Sequence, residues 1–287
     1  MTDSAASVIY LPGAGGYVRG PDGFAPELTL MKSGLADGAR LEMIHYPTWT
    51  RYIGDDFSTD GFVGELAAEI AARVPQGSIH IIGFSLGGHF GYAVALRLQA
   101  MGRTVGGLCA IDSVMSPSIA PQEGWQRKAA SEGGRLLQER RFREFFVFLR
   151  SKFWRAVIRL SFGSLRLVLR VFARAGVRSM SWLDPVMEQE ISLRLLLQNV
   201  QSWLNALQRD PVALNAPASL LRTAEAGHDD VAWRRRCPAM DVHEIPGTHL
   251  SLFDAQYADA LRRTLATATA GWSAQAGLGA AHRCMKP

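Results

Sequence analysis

Apolar residues recur along this chain in two alternating rhythms. Short runs rich in apolar residues occur at Val8–Leu11, Leu41–Tyr46, Ile79–Ile82, Val105–Ile111, Ala218–Ala224 and Met240–Ile245. Runs this short, bounded by polar residues and glycine, predict buried strands. Between them the spacing lengthens to three and four residues. Phe62, Leu66, Ile70 and Val74 share one helical face, Tyr92 to Leu98 read as a buried helix, and Ala255–Ala268 as a closing one. Phe24–Leu35 also reads as helical, interrupted near Pro26. Strands alternating with helices predict an α/β fold with a mostly parallel sheet covered on both faces. Residues 117–210 break the rhythm with arginines and bulky runs such as FFVFL and WLDPVM, and predict a helical insertion acting as a lid over the C-terminal edge of the sheet. The expected organisation is one domain over residues 1–270 carrying that insertion, followed by an irregular, mobile tail over 271–287.

One junction between the rhythms carries chemistry. In "IIGFSLGGHFGYAVALRL", Ser85 stands between Gly83 and Gly87, with Gly88 directly behind. Turning from strand to helix within about two residues forces the serine into a tight backbone conformation that neighbouring Cβ atoms would obstruct. The pattern is G-x-S-x-G, a nucleophile elbow, which lifts the serine Oγ to the sheet's C-terminal edge and leaves the N–H of Leu86 free for an oxyanion. A second donor is expected from "YLPGAGGY" after the first strand, where the N–H of Ala14 or a neighbour would face the same point. That loop has neither G-x-G-x-x-G nor G-x-x-x-x-G-K-[ST] spacing, which argues against a nucleotide site.

A serine needs a base, and the base needs an acid behind it. Of the seven histidines, His80 and His89 lie within the elbow strand and helix and read as structural, His45 ends a strand, and His228, His243 and His282 lie near or beyond the late elements. His249, in "IPGTHLSLF", follows the last strand, where a Pro-Gly turn would throw it back toward the elbow. The preferred acid is Asp112, which ends the strand expected beside the elbow strand at a spacing of about 4.8 Å. Asp229 or Asp230, after the following strand, is the alternative, although either can N-cap the helix DVAWRRR.

Composition narrows the setting. The chain of 287 residues is 48% hydrophobic, with no basic leader and no long apolar run. The expectation is a cytoplasmic protein without a transmembrane segment. Three widely spaced cysteines read as reduced thiols, and no metal or cofactor spacing is present, so none is expected. The net charge of +5 is uneven: residues 127–178 hold fourteen Lys or Arg against three acids, a balance of +11 that leaves the rest at −6. Such a segment points to a local partner surface, with Arg135, Arg140, Arg141 and Arg143 as candidate docking residues. Its interleaved FFVFL and LRLVLRVF suit amphipathic helices rather than a nucleic-acid stacking platform, so no nucleic acid is expected. An anionic membrane surface is a further possible partner.

The ordered set "LPGAGG", "GFSLGGHFGYAVALRL", "AIDS", the Trp233 segment and "IPGTHLSLF" resembles the thioesterase domains of nonribosomal peptide synthetases and polyketide synthases, over residues 6–113 and 216–268. The resemblance implies an α/β-hydrolase fold, an acyl-enzyme on Ser85, His249 as base and Asp112 as acid. It implies a substrate carried on the phosphopantetheine arm of an acyl or peptidyl carrier protein, released by hydrolysis or cyclisation. In terminal, product-releasing members the acid follows the strand beside the elbow; in editing members, which clear misprimed carriers, it follows the later one, where Asp229 and Asp230 lie. Competing readings are a carboxylesterase or lipase acting on a free small ester, and a catalytically dead binding module.

Overall fold

All six apolar runs form strands. β1 (Ser7–Leu11), β2 (Arg40–Met43), β3 (Ile79–Phe84), β4 (Val105–Ile111), β5 (Ala218–Arg222) and β6 (Met240–Glu244) make one sheet in the order β2-β1-β3-β4-β5-β6. Every neighbouring pair is parallel. The structure, a computed structural model, describes residues 6–14, 26–36, 38–113, 146, 149, 165–177, 185–226, 230–249 and 251–272. Its helices are α1 (Pro26–Gly34), the single turn α2 (Trp49–Tyr52), α3 (Thr59–Arg73), α4 (Leu86–Ala100), α5 (Leu165–Arg174), α6 (Pro185–Arg209), α7 (Asp230–Arg236) and α8 (Ala258–Thr269).

Parallel strands need crossovers, and helices in the crossovers cover both faces. Side chains alternate along each strand, so the two faces have separate cores. Val8, Tyr10, Ile82, Cys109, Ile111 and Leu221 pack with Met31 of α1 and Leu261 and Leu265 of α8. The intervening Ile9, Leu11, Ile81 and Leu108 are equally buried on the other face, where Gly91 of α4 lies over Ile81 and Leu108. Continuous apolar runs therefore reflect burial on both faces, as the pattern predicts.

The chain divides into two compact units. The first comprises Met1–Tyr46, Ser58–Met115 and Asn199–Pro287 and holds the sheet. The last turns of α6, from Asn199, belong to it, and Trp203 packs on Phe90 of α4 with ring centroids 5.4 Å apart. Beyond α8, Gly271 and Trp272 are still helical, and Trp272 is buried, its indole stacked on His80 at 4.8 Å. The rest of the expected tail lies outside the described residues.

The second unit comprises Pro47–Phe57 and Ser116–Gln198. In it α5 buries Leu165 and Leu169 and leaves Leu167, Val168 and Val171 exposed. Two of the basic residues counted in the sequence have internal roles. Arg166 donates to the Tyr52 carbonyl (2.9 Å), and Arg170 donates to the Ile53 carbonyl (2.9 Å) and pairs with Asp55. The four candidate docking residues, Arg135, Arg140, Arg141 and Arg143, lie outside the described residues. Among the described residues, no helix is long and apolar enough to cross a membrane.

Candidate active site

The elbow is a place where side chains have no room. A Cβ on Gly83 would stand 2.2 Å from the Gly87 carbonyl oxygen, and one on Gly87 would stand 2.1 Å from the Leu11 carbonyl oxygen. The end of β3, the first turn of α4 and the end of β1 are thus in backbone-to-backbone contact, which only glycine allows. Ser85 sits between them at φ 54° and ψ −121°, its N–H donated to the Ile111 carbonyl at 2.8 Å. Directly after it the helix begins, so the Leu86 amide belongs to a first turn, whose N–H groups have no intrahelical acceptor.

The loop after β1 lies against the same point. A Cβ on Gly13 would meet Ser85 Cβ at 3.4 Å and the Phe84 ring at 3.1 Å. Tyr46 holds this loop by donating its hydroxyl to the Pro12 carbonyl at 2.8 Å, and its ring packs edge-on against Phe62 and Phe90. Ala14, the expected second oxyanion donor, is the next residue after Gly13.

Asp112 ends the neighbouring strand. It adopts φ 47°, a left-handed conformation that Asp tolerates better than most residues. Its N–H is donated to the Leu221 carbonyl at 2.6 Å, and it is 1% exposed. One carboxylate oxygen, Oδ2, lies 2.6 Å from His249 Nδ1. The other, Oδ1, accepts both the N–H and the Oγ1–H of Thr223, each at 2.9 Å. Burial alone would push this carboxyl up. The hydrogen bonds from His249 and Thr223 outweigh burial and hold it below the usual carboxylate range, charged.

His249 follows Gly247, whose φ of 99° turns the chain after β6. Its imidazole stacks on Phe84, the residue before Ser85, with centroids 5.1 Å apart and planes 22° apart. Phe253 packs edge-on against Phe84 with ring centroids 4.9 Å apart. The ring is therefore fixed between an aromatic face next to Ser85 and a buried carboxylate, while its side chain stays 41% exposed.

The structure thus brings Asp112 and His249 into contact, beside the strained Ser85. Asp230 is elsewhere: its carboxylate pairs with Arg222 at 2.9 Å, and Arg222 also pairs with Glu244. Asp229 lies outside the described residues. The two histidines read as structural are buried, with His89 stacked on Trp233 at 5.4 Å. The Trp233 indole N–H is donated to the Ser113 carbonyl at 2.7 Å, which clamps the turn that carries Asp112. Sequence reasoning missed Thr223, since a threonine after a strand carries no local sign of its partner 111 residues away. Among the described residues, no group of His, Cys, Asp and Glu is placed to hold a metal ion.

Comparison with known proteins identifies the family and the fold. The thioesterase domain family model matches residues 58–269. Among solved structures, the Vlm2 thioesterase domain bound with a dodecadepsipeptide superposes with a TM-score of 0.56 at 20% identity, covering 92% of this chain and 94% of that one. The RedJ thioesterase from the prodiginine biosynthetic pathway in Streptomyces coelicolor gives 0.55 at 16% identity, covering 92% and 91%. The NocB thioesterase domain from the nocardicin cluster gives 0.51 at 21% identity, covering 91% and 94%. These likenesses establish the α/β-hydrolase fold. A curated relative, the inactive atromentin synthetase invA4 of Paxillus involutus, is 30% identical over 148 residues, which is 52% of this chain and 14% of that protein. The family match begins at the N-cap of α3 and ends with α8, spanning the elbow, Asp112 and His249, and on that span the chain belongs to the thioesterase domain family.

Proposed function

We propose that this thioesterase releases an acyl or peptidyl chain from the phosphopantetheine arm of a carrier protein, through an acyl-enzyme on Ser85. His249 takes the Ser85 proton at Nε2 while Asp112 holds Nδ1–H, fixing the tautomer and stabilising the imidazolium. Ser85 Oγ attacks the thioester carbon, and the oxyanion is received by the amides of Leu86 and Ala14. The C–S bond breaks, and the sulfur leaves as a thiol with the proton from His249. Water, or a hydroxyl or amine of the chain itself, then gives its proton to His249 and attacks the ester carbon. That proton returns to Ser85 as the product leaves.

The observation that carries this reading is the buried Asp112 carboxylate, 2.6 Å from His249 and doubly bonded by Thr223 on its other oxygen. An acid following the strand beside the elbow also supports a terminal, product-releasing role over an editing one. The dodecadepsipeptide bound to one similar structure and the prodiginine biosynthetic pathway to which another belongs support a biosynthetic setting. The carrier is the proposed cytoplasmic partner, steered by the basic 127–178 segment toward its acidic surface.

The test is Ser85→Ala. It abolishes labelling by a fluorophosphonate and lowers hydrolysis of an N-acetylcysteamine thioester by several orders of magnitude. Turnover of the acyl-carrier substrate, unlike that of the small thioester, falls as ionic strength rises. Hydrolysis at the wild-type rate in Ser85→Ala overturns the proposal. A p-nitrophenyl ester strongly preferred over every thioester makes the protein a carboxylesterase instead.

A further inference from the structure

We infer that Thr223 is a positioning residue for the reaction: its side-chain hydroxyl fixes the rotation of the Asp112 carboxylate and, through it, the imidazole of His249. This rests on the Ser85–His249–Asp112 reading above.

A carboxylate attached to a strand end can turn about its Cβ–Cγ bond, and only one setting aims an oxygen at Nδ1 of a given histidine. Here the oxygen that does not face His249 is held from two directions by one residue. Thr223 N–H and Oγ1–H both donate to Oδ1 at 2.9 Å. A carboxylate only accepts, so the hydroxyl proton must point to it. Thr223 is itself 1% exposed and immediately follows β5, the strand paired with β4. The register Ile111↔Leu221 places Asp112 and Thr223 at neighbouring strand ends, and the 2.6 Å bond from Asp112 N–H to the Leu221 carbonyl locks that register. Being β-branched, threonine has few χ1 settings, so its Oγ1 is a fixed donor rather than a searching one.

Through Asp112, this support reaches His249. Its side chain is 41% exposed, and it rests on the Phe84 ring and on Asp112. Among the described residues, the charged or titratable group facing Asp112 is His249 itself. The backbone N–H of Thr223 satisfies one lone pair and survives the substitutions to valine, serine and cysteine. The hydroxyl is the separable part, and two donors converging on Oδ1 from different directions define a plane that one donor does not.

The experiment compares Thr223→Val, which keeps shape and removes the hydroxyl, with Thr223→Ser, which keeps the hydroxyl. In Thr223→Val, kcat on an N-acetylcysteamine thioester falls about ten- to a hundredfold, the range for losing a hydrogen bond to a charged group, with KM unchanged. The acid limb of its pH–rate profile moves to higher pH, because a carboxylate with one donor fewer is a more basic partner for the imidazolium. Thr223→Ser restores both kcat and the limb. If Thr223→Val does not fold, Thr223→Cys, a weak donor of similar size, carries the same expected directions. Wild-type kcat and pH profile in the folded variant, with Asp112→Asn inactive, overturn the role of Thr223 and leave the triad reading intact. Full activity in both Asp112→Asn and Ser85→Ala overturns the triad reading itself.

Discussion

Gly83→Ala tests whether the elbow is built by backbone contact. The added Cβ would lie 2.2 Å from the Gly87 carbonyl oxygen, 2.4 Å from the Gly87 carbonyl carbon and 2.5 Å from the Gly88 nitrogen. All three are backbone atoms of the first turn of α4, so no side chain can rotate away. Ordinary contact begins near 3.4 Å, so relief requires the start of α4 to retreat by about 1 Å. Overpacking of this kind costs about 3 kcal/mol, the upper part of the usual range, because only backbone can yield. A retreat of about 1 Å also carries the Leu86 amide and Ser85 away from His249, which costs about a hundredfold in rate. Gly64 is the control. It lies inside α3 with nothing within 4 Å of an added Cβ, so Gly64→Ala gains about 0.5–1 kcal/mol from helix propensity and leaves activity alone. Urea unfolding gives the stabilities, and the rate of fluorophosphonate labelling gives the state of the serine. Wild-type labelling and stability in Gly83→Ala would show that the elbow is not held by this contact.

Asp112→Asn lowers the hydrolysis rate about 10⁴-fold, since the amide cannot hold the imidazole in the productive tautomer. Asp230→Asn, which only weakens a partly exposed pair with Arg222, leaves the rate within a few-fold and changes stability by about 0–1 kcal/mol; the reverse ranking makes the later acid the functional one. Burial, with Trp272 stacked on the ring, depresses the pKa of His80 from its ordinary 6.5. The folded state therefore binds this proton less readily than the unfolded state, and its stability is full above pH 6.5 and falls as the pH drops below it. Thermal melts between about pH 7.5 and 5 read that loss, which shrinks in His80→Gln; an undiminished loss in that variant assigns the effect to another group.

The strands and the elbow were legible because their signals are local. Val8–Leu11 or Val105–Ile111 can only be so continuously apolar if both faces are covered, and the glycines around Ser85 state their own steric requirement. Asp112 was legible in kind, as an acid at the end of the neighbouring strand. It was already the preferred acid on that ground; its contact with His249, and the pairing of Asp230 with Arg222 instead, depend on long-range packing that no local pattern encodes. Thr223 was invisible for the same reason, since its partner is set by where two strands align. Trp272 was read as the start of an irregular tail because it follows α8 without periodicity, yet Gly107 leaves the space it fills: a Cβ there would stand 2.2 Å from the indole nitrogen. Among the arginines, Arg166 and Arg170 read as part of a partner surface but hold backbone carbonyls of the 47–57 segment, a role that charge counting cannot distinguish.

Two described non-glycine residues have positive φ, Ser85 and Asp112. Each such residue costs roughly 1–3 kcal/mol and persists only where its surroundings over-determine it. They stand at the C-terminal ends of adjacent strands, and the same ladder restrains both. Ser85 N–H is donated to the Ile111 carbonyl, and the next residue, Asp112, donates its own N–H to Leu221. Strain at Ser85 is thus held in part by the strand that leads to Asp112, and strain at Asp112 by the strand that leads to Thr223. The glycines of the elbow and the indole clamp from Trp233 onto Ser113 close the remaining ways to relax. A sheet centre arranged this way sets the spacing of Ser85 and Asp112 through backbone alone, leaving side chains to fix only the final orientations. That division explains why His249, with its side chain 41% exposed, depends on an aromatic face and an oriented carboxylate for its position.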